Sequence, residues 1–264
     1  MKLKAVFVLG ASLVALVLNS CAPVGGGYGL PDALSGAGSR SESKIPWNSP
    51  VPKERPGLAT GWGAEKASKL EDVHFVRASS KPAGTDMIFY NNSAGIKAMS
   101  GYKRKVSPMQ TASGEMVEWG IKGGVRFLKA YKEGGYGRRL VEGNNGGSYS
   151  IVVKNRSKSA LEIVASVDGL DVQDGKSASF SKRGYIVQPG KTIEIEGFRT
   201  STSTVAAFKF SSVSNSYANM RHGNTRNVGV IGIAVFTRKG VNPWTWMPGE
   251  VKQRKTANPF AEAP

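Results

Sequence analysis

Short apolar runs alternate with polar turn signals along the chain from about residue 70 onward. Runs of roughly four to eight residues bounded by Gly, Pro, Asn or Asp are typical of strands, and such punctuation roughly every eight to twelve residues favours a sandwich or barrel. The clearest runs are residues 149–153, 161–167, 184–187, 192–198, 205–210 and 228–237, preceded by weaker runs at 87–90, 96–105, 115–119 and 125–131. The pattern predicts an all-β fold, a mostly antiparallel β-sandwich of jelly-roll or immunoglobulin-like type.

The alternation also assigns faces to individual strands. Ile193 and Ile195 alternate with Glu194 and Glu196, which predicts a strand with one buried and one solvent-facing side. Residues 228–236 are apolar at nearly every position, which predicts a central strand covered on both faces. No segment keeps an apolar period of 3.6 residues over three turns, so few helices are expected.

The first twenty residues follow a different pattern. Lys2 and Lys4 precede an apolar run at residues 5–18, and small or polar residues follow it before Cys21. This order predicts a secretory signal peptide, because the apolar run is too short to span a bilayer comfortably. An uncleaved membrane anchor or a buried N-terminal helix is the alternative.

Residues 18–21, Leu-Asn-Ser-Cys, resemble the bacterial lipobox, in which the cysteine receives diacylglycerol after cleavage on its N-terminal side. Cys21 is the only cysteine in the chain, so lipidation gives this thiol a role, and a stray or buried thiol is the alternative. The resemblance implies an exported protein that is held to a membrane by lipid on Cys21. Ala22 after the cysteine favours the outer membrane over the inner one.

Composition predicts the organisation of the rest of the chain. The predicted segments are a signal peptide at 1–20, a Gly/Pro/Ser-rich tether at 21–66, a β-sandwich domain at 67–240 that is clearest at 147–238, and a polar, mobile C-terminal tail at 241–264. The tether is predicted because such a composition cannot bury enough apolar surface to offset its ordering entropy. A chain starting near Gly61 is therefore expected to melt like the mature protein.

A series of motifs within residues 148–231 resembles a β-sandwich domain of uncharacterised bacterial secreted proteins and lipoproteins. The motifs are Ser-Tyr-Ser-Ile at 148–151, Val-Asp-Gly-Leu-Asp at 167–171, Asp-Gly-Lys at 174–176, Gly-Phe-Arg at 197–199, Phe-Lys-Phe at 208–210, Ser-Tyr-Ala at 216–218 and Val-Gly-Val-Ile at 228–231. The resemblance implies the fold alone and carries no catalytic residue. It implies that Arg183 and Tyr185 fix strand ends and take no part in chemistry.

The chain is strongly basic, with a formal net charge of +17, and the charge is uneven. Residues 97–139 hold ten basic and three acidic residues. A basic surface with interleaved aromatic rings suits acidic ligands, and for an exported lipoprotein an anionic glycan or lipid phosphate is favoured over nucleic acid. The predicted anionic-ligand patch consists of Lys103, Arg104, Lys105, Arg126, Lys129, Arg138 and Arg139. The alternative is a solvated surface whose strands bury the rings and expose the charges.

Candidate catalytic and metal-binding residues are few. His74 and His222 are the only histidines, and no Gly-x-Ser-x-Gly motif accompanies them, so a nucleophilic triad is not indicated. Asp168, Asp171 and Asp174 offer oxygens to calcium, but their spacing differs from that of an EF-hand, and turn-forming Asp-Gly pairs explain them as well. No metal and no cofactor are predicted.

The favoured hypothesis is a lipid-anchored envelope protein that acts as a non-enzymatic binding or structural module. Its partner would be an anionic glycan, a lipid or an unidentified protein, because a sandwich fold alone names no ligand. The alternative is an envelope enzyme that acts on glycans through a carboxylate pair, Glu194 or Glu196 with Asp168. Such a pair needs a cleft and a carboxyl separation of about 5 Å or about 6.5–9.5 Å.

Overall fold

The computed structural model describes residues 55–101 and 104–259. The predicted signal peptide, Cys21, residues 21–54 of the predicted tether and Lys103 lie outside this part of the chain. The described residues form two β-sheets that share one hydrophobic core, together with three short helices.

The strands are β1 (Leu58–Ala67), β2 (Gly84–Asn91), β3 (Arg104–Val106), β4 (Met109–Ala112), β5 (Val117–Gly123), β6 (Arg126–Phe127), β7 (Ala130–Lys132), β8 (Arg139–Glu142), β9 (Ser148–Asn155), β10 (Leu161–Val167), β11 (Leu170–Asp171), β12 (Tyr185–Val187), β13 (Thr192–Ile195), β14 (Gly197–Arg199), β15 (Thr204–Ser212) and β16 (Val230–Thr237). The helices are α1 (Ser93–Ser100), α2 (Tyr217–His222) and α3 (Pro248–Lys255).

Each sheet has eight strands. Sheet I has the order β1-β15-β9-β5-β4, and β14, β13 and β6 pair with β15, β9 and β5. Sheet II has the order β11-β10-β16-β2-β8-β7-β3, and β12 pairs with β10. Among the described strand pairs β2 and β8 run parallel, and the others are antiparallel. The predicted mostly antiparallel β-sandwich is confirmed.

The core lies between the sheets and is made of buried apolar residues from the longer strands of both. Ile151 of β9 in sheet I and Ile163 of β10 in sheet II both belong to it and are fully buried. An aromatic cluster continues the core, with the Tyr149 ring centroid 4.4 Å from that of Phe210 and 5.2 Å from that of Phe208. Burial of each large side chain contributes about 1.5–3 kcal/mol, so this core stabilises both sheets together.

The strands after residue 148 agree closely with the apolar pattern. The bounds of β10 coincide with the predicted run, and β9, β15 and β16 differ from theirs by at most two residues at each end. The predicted strand at 192–198 is two strands, because the chain leaves β9 after Ile195 and pairs with β15 from Gly197. Ile195 is buried and Glu194 exposed, as the alternation predicted.

The prediction of a strand at residues 96–105 was wrong in its first half, which forms α1. The Asn92 side chain accepts a hydrogen bond from the backbone N–H of Gly95 at 2.8 Å and so caps the helix N-terminus. Ile96 and Ser100, four residues apart, are the buried positions and share one helix face. Ile96 packs against Tyr131 and Leu140 on the outer face of sheet II.

The predicted tether extended too far toward the C-terminus. Residues 58–67 form β1, which pairs with β15 along its length, and Leu58, Ala59 and Thr60 are buried. The Gly-rich composition predicted a tether, but Gly61 and Gly63 are packing positions of β1. A Cβ on either residue would meet atoms of β15 or of the loop that follows it. The domain therefore begins before residue 67.

The predicted mobile tail contains ordered structure. Met247 is buried in the core, and α3 begins directly after it with Pro248 at its first position. The Glu115 side chain accepts a hydrogen bond from the Gly249 N–H at 2.7 Å and so caps the N-terminus of α3. Met247, at the N-cap position, makes no side-chain hydrogen bond to the helix. In the described part of the chain, helices fall short of the length and apolar character that crossing a bilayer requires.

Candidate functional site

Three basic residues form a row across neighbouring strands of sheet II. Arg104 of β3 lies opposite Lys132 of β7, and Lys132 lies opposite Arg139 of β8. Residues that oppose each other across antiparallel strands project from the same face of a sheet, with Cβ atoms roughly 4.5–5.5 Å apart. We call Arg104, Lys132 and Arg139 the cationic row.

The cationic row borders a cavity of about 420 Å³ between the edges of the two sheets. The lining includes Met109, Gln110 and Thr111 of β4 from sheet I, and Lys132, Gly137 and Arg139 from the β7–β8 hairpin of sheet II. Arg104 is exposed and continues the row on the outermost strand, beside Val106, which also lines the cavity. We call this cavity and its lining the cationic cleft.

Arg139 is the most firmly held member of the row. Its Nη1 donates a hydrogen bond to the carbonyl oxygen of Ser107, which fixes the guanidinium beside the cleft. Burial lowers the pKa of Arg139 from its ordinary value, and the nearby negative charge of Asp86 raises it in opposition. An arginine side chain nevertheless keeps its charge at every physiological pH.

Asp86 is the carboxylate that faces this cation, and it is already engaged. Its Oδ2 accepts hydrogen bonds from Gln110 Nε2 at 2.6 Å and from Trp119 Nε1 at 2.7 Å. These bonds hold the Gln110 amide at the cleft wall. Across the described residues, Arg104 and Lys132 take part in no ion pair, so the row carries more positive than negative charge.

The structure divides the predicted patch among several surfaces. Lys105 lies opposite Tyr131, which places it on the face of the sheet away from Arg104. Arg138 pairs with Glu133 at 2.5 Å and lies over the Phe89 ring, on the side of the sheet covered by α1. The prediction of one continuous positive face is corrected, because the alternation of side chains along β3 sends successive cations to opposite faces.

Two further patch residues lie away from the row. Arg126 belongs to β6 of sheet I and is exposed, and Lys129 lies in the segment that leads from β6 to β7. Sequence reasoning missed Lys132, which it counted in the charge but did not place in the patch. The signal for it is the Gly-rich turn between Glu133 and Arg138. A hairpin closed at these two residues places Lys132 opposite Arg139.

Asp168 occupies the centre of a buried hydrogen-bond network. Its Oδ1 accepts from Tyr90 Oη at 2.6 Å and from Gly229 N at 2.8 Å, and its Oδ2 accepts from Thr60 N at 2.7 Å. The Thr60 hydroxyl joins the hydroxyls of Tyr90 and Tyr149 at 2.7 and 2.6 Å. Burial raises the pKa of Asp168 to about 6, and the donors around it oppose the rise. The network ties β1 and β9 of sheet I to β2 of sheet II.

The hypothesis of a glycosidase pair does not fit these contacts. Asp168 is enclosed by its donors, whereas Glu194 accepts from Lys122 at 2.8 Å and from Ser150 at 2.6 Å at the surface of sheet I. Glu196 pairs with Lys66 at 3.0 Å. Both glutamates serve as surface ion-pair partners, and neither shares a hydrogen-bond partner with Asp168.

The three aspartates considered for calcium are engaged in other contacts. Asp168 lies in the buried network, whereas Asp171 Oδ1 accepts from the backbone N–H groups of Gln173 at 2.8 Å and Asp174 at 3.2 Å, and Asp174 pairs with Lys182. Asp171 and Asp174 therefore shape one turn, as the Asp-Gly pair at 174–175 indicated. Within the described ranges there is no group of three or more His, Cys, Asp or Glu residues that is suited to a metal ion.

The two histidines lie in unrelated settings, and no nucleophile motif accompanies them in the sequence. His74 lies in an exposed irregular segment. His222 is the last residue of α2, and its Nε2 lies 2.9 Å from the Gly175 carbonyl oxygen.

Comparison with protein-family models, curated proteins and solved structures gave no match to this chain. The resemblance to a sandwich domain of bacterial lipoproteins therefore stays a prediction.

Proposed function

We propose that this protein is an exported, lipid-anchored envelope protein whose β-sandwich binds an anionic group of an envelope polymer or lipid in the cationic cleft. The binding is non-enzymatic. The group is a phosphate or carboxylate, since guanidinium and ammonium groups donate charge-assisted hydrogen bonds to these oxygens. The outer membrane is the favoured location.

The observation that carries this proposal is the cationic row itself. Like charges directly opposite each other on neighbouring strands destabilise a sheet. Arg104, Lys132 and Arg139 stand in such positions, and Asp86, the carboxylate near Arg139, is shared with Gln110 and Trp119. A bound anion relieves this repulsion, so the arrangement favours ligand binding at the expense of the stability of the free protein.

The cleft also has a neutral polar wall. The Gln110 amide donates to Asp86 Oδ2 and to the Met87 carbonyl oxygen and so braces this wall, and Thr111, which carries a hydroxyl donor, lines the same cavity. A pocket with a few convergent polar groups between two rigid sheets is a common form of binding site. The ligand group is small, because the cavity volume of about 420 Å³ holds a phosphate, a headgroup or one sugar acid rather than a folded partner.

Changing Arg104 and Lys132 together to Gln is expected to weaken binding of an anionic ligand roughly tenfold. Two or three contacts of about 0.5 kcal/mol each together give a change of that order. Binding is measured with phosphatidylglycerol vesicles and, separately, with a polyuronate, between roughly 50 and 300 mM salt. Binding is expected to fall as salt rises, because salt shortens the Debye length, which is about 8–10 Å at roughly 0.10–0.15 M ionic strength.

The matched control changes Lys105 and Arg126 to Gln, which removes the same charge from positions outside the cleft. This control is expected to keep most of the binding, and the cleft variant is expected to melt at the same temperature or higher because the repulsion is relieved. A preference for vesicles identifies a lipid headgroup, and a preference for the polyuronate identifies a glycan. Equal losses in both variants, or binding that is insensitive to salt, would contradict a specific cleft.

The anchor is tested separately. Cys21→Ala is expected to abolish incorporation of labelled palmitate and to leave an unprocessed precursor or a soluble product. Several acyl chains on one residue hold a protein firmly, since each buried methylene contributes about 0.8 kcal/mol. Palmitate incorporation that persists in the Cys21→Ala protein would rule out lipidation at this residue.

A further inference from the structure

A second cavity, of about 640 Å³, lies further along the β4–β5 hairpin that walls the cationic cleft. It is bounded by the turn at residues 113–116 and by the segment that leads from β16 to α3. The residues that matter for its chemistry are Glu115, Lys158, Trp244, Trp246, Glu250 and Gln253. The proposed anionic ligand makes no use of this cavity.

Two tryptophans with exposed rings form the apolar part of the cavity. Trp244 is 49% exposed and Trp246 is 68% exposed, while Met247 beside them is only 4% exposed. Large aromatic side chains are normally buried to a greater extent, so two of them open to one cavity indicate a surface kept free for a ligand. The face of an indole ring carries negative potential, which attracts the C–H bonds of a sugar ring.

The position of Trp244 is fixed by the turn beneath it. Gly114 has φ of +63°, and a Cβ on this residue would lie 2.5 Å from Trp244 Cη2, so only glycine fits under the ring. The backbone N–H of Trp244 donates to the Asn242 side chain at 3.0 Å, and its neighbour Pro243 accepts from the Lys158 N–H at 3.2 Å. A ring held in this way loses little conformational entropy when a ligand stacks on it.

Polar groups surround the two indoles. Glu115, which lines the cavity, accepts a hydrogen bond at Oε2 from the Gly249 N–H at 2.7 Å, which fixes its carboxylate. Gln253 and Lys158 add an amide and an ammonium group, and Glu250 is held by Arg254 at 2.9 Å. Acceptors and donors are therefore both present beside the two indoles, a combination that complements the hydroxyls of a sugar.

From these contacts we infer that the Trp244/Trp246 cavity binds a neutral pyranose ring of an oligosaccharide. The ring stacks on the indoles, and its hydroxyls donate to Glu115 and accept from Lys158 and Gln253. A lipid surface would not be matched by two carboxylates next to the tryptophans. A proline-rich peptide would satisfy the indoles but would make little use of the donors on Lys158 and Gln253. This site does not depend on the cationic cleft.

The test uses uncharged tetrasaccharides of N-acetylglucosamine, glucose and mannose, with binding measured by calorimetry on the folded protein. At least one is expected to bind, and Trp246→Ala is expected to weaken that binding about tenfold or more, because the stacking surface is lost. Glu115→Gln preserves the α3 cap but removes the charge, and is expected to weaken binding by a smaller factor. Binding is expected to be unchanged between roughly 50 and 300 mM salt, which separates this site from the anionic one.

Trp62→Phe is the matched control, because Trp62 is also 49% exposed but lies against Phe198 and Tyr217 at another cavity. It is expected to bind the tetrasaccharide like the unaltered protein. The inference is overturned if none of the three sugars binds at about 10 mM, roughly ten times the Kd of about 1 mM of a weak ligand. It is also overturned if Trp246→Ala has no effect, or if a proline-rich peptide binds at the tryptophans and the sugars do not.

Discussion

A chain that begins at Gly61 is expected to lose cooperative folding, whereas one that begins at Arg55 is expected to melt like the longer protein. Removal of residues through Thr60 deletes the buried start of β1, and loss of the Leu58 side chain alone costs about 2–5 kcal/mol. It also removes the Thr60 N–H from Asp168 and the Thr60 hydroxyl from Tyr90. Each buried group left without its partner costs about 1–3 kcal/mol more.

The sum is comparable with the whole stability of a typical domain, about 5–15 kcal/mol, so the expected effect is loss of the native state. Urea and thermal unfolding of both truncated chains, followed by tryptophan fluorescence, measure it. The chain from Arg55 serves as the control, because it keeps Leu58 and the donor to the Thr225 carbonyl. A melting temperature for the Gly61 chain within a few degrees of the control would contradict this prediction and support a tether that extends through residue 60.

The stability of the protein is expected to depend on pH through Asp168. Burial raises the pKa of this carboxyl from 3.8 to about 6, so folding favours its protonated form. The resulting contribution to stability is fully present below about pH 4 and is lost as pH rises through about 6. A pKa difference of this size corresponds to a decrease of at most about 3 kcal/mol in the free energy of unfolding.

Asp168→Asn is the variant that isolates this effect. Asn cannot ionise, so the difference in free energy of unfolding between Asp168→Asn and the unaltered protein is expected to vary with pH between about 4 and 7. The other titrating groups are the same in both proteins, so their contributions to this difference cancel. The amide also turns a donor toward the Thr60 N–H or the Gly229 N–H, which costs about 1–3 kcal/mol at every pH. Urea unfolding at several pH values gives both quantities. Asp174→Asn, at a surface ion pair, is the control, and a pH-independent difference for Asp168→Asn would show that its pKa is not raised.

The apolar pattern predicted the strands that follow Ser148 because their burial alternates or is continuous over six or more residues. It failed at β1, where Gly61, Gly63 and polar residues give no apolar period. Those positions are decided by a partner strand about 150 residues away, since Leu58 lies opposite Ser212. The parallel pairing of β2 with β8 is equally invisible to a local pattern.

The candidate site was predictable only in part for the same reason. Composition located the excess of positive charge between residues 97 and 139, and Arg104 and Arg139 were both in the predicted patch. The register of a hairpin decides that Lys132 joins them, and the pairing of β3 with β7 decides that Lys105 does not. The tryptophans at 244 and 246 were visible in the sequence, but the cavity between them depends on the turn at Gly114.

The pairing of β1 with β15 and of β2 with β16 has a consequence for the time course of folding. The N-terminal strand of each pair is synthesised long before its C-terminal partner, so sheet I cannot close before β15 at residues 204–212 has emerged, nor sheet II before β16 at residues 230–237. Closure of such long loops is slow, and folds dominated by distant pairings typically take milliseconds to seconds. During that interval the edge of β9 that will meet β15 and the edge of β10 that will meet β16 are unpaired, which exposes both to aggregation with other chains.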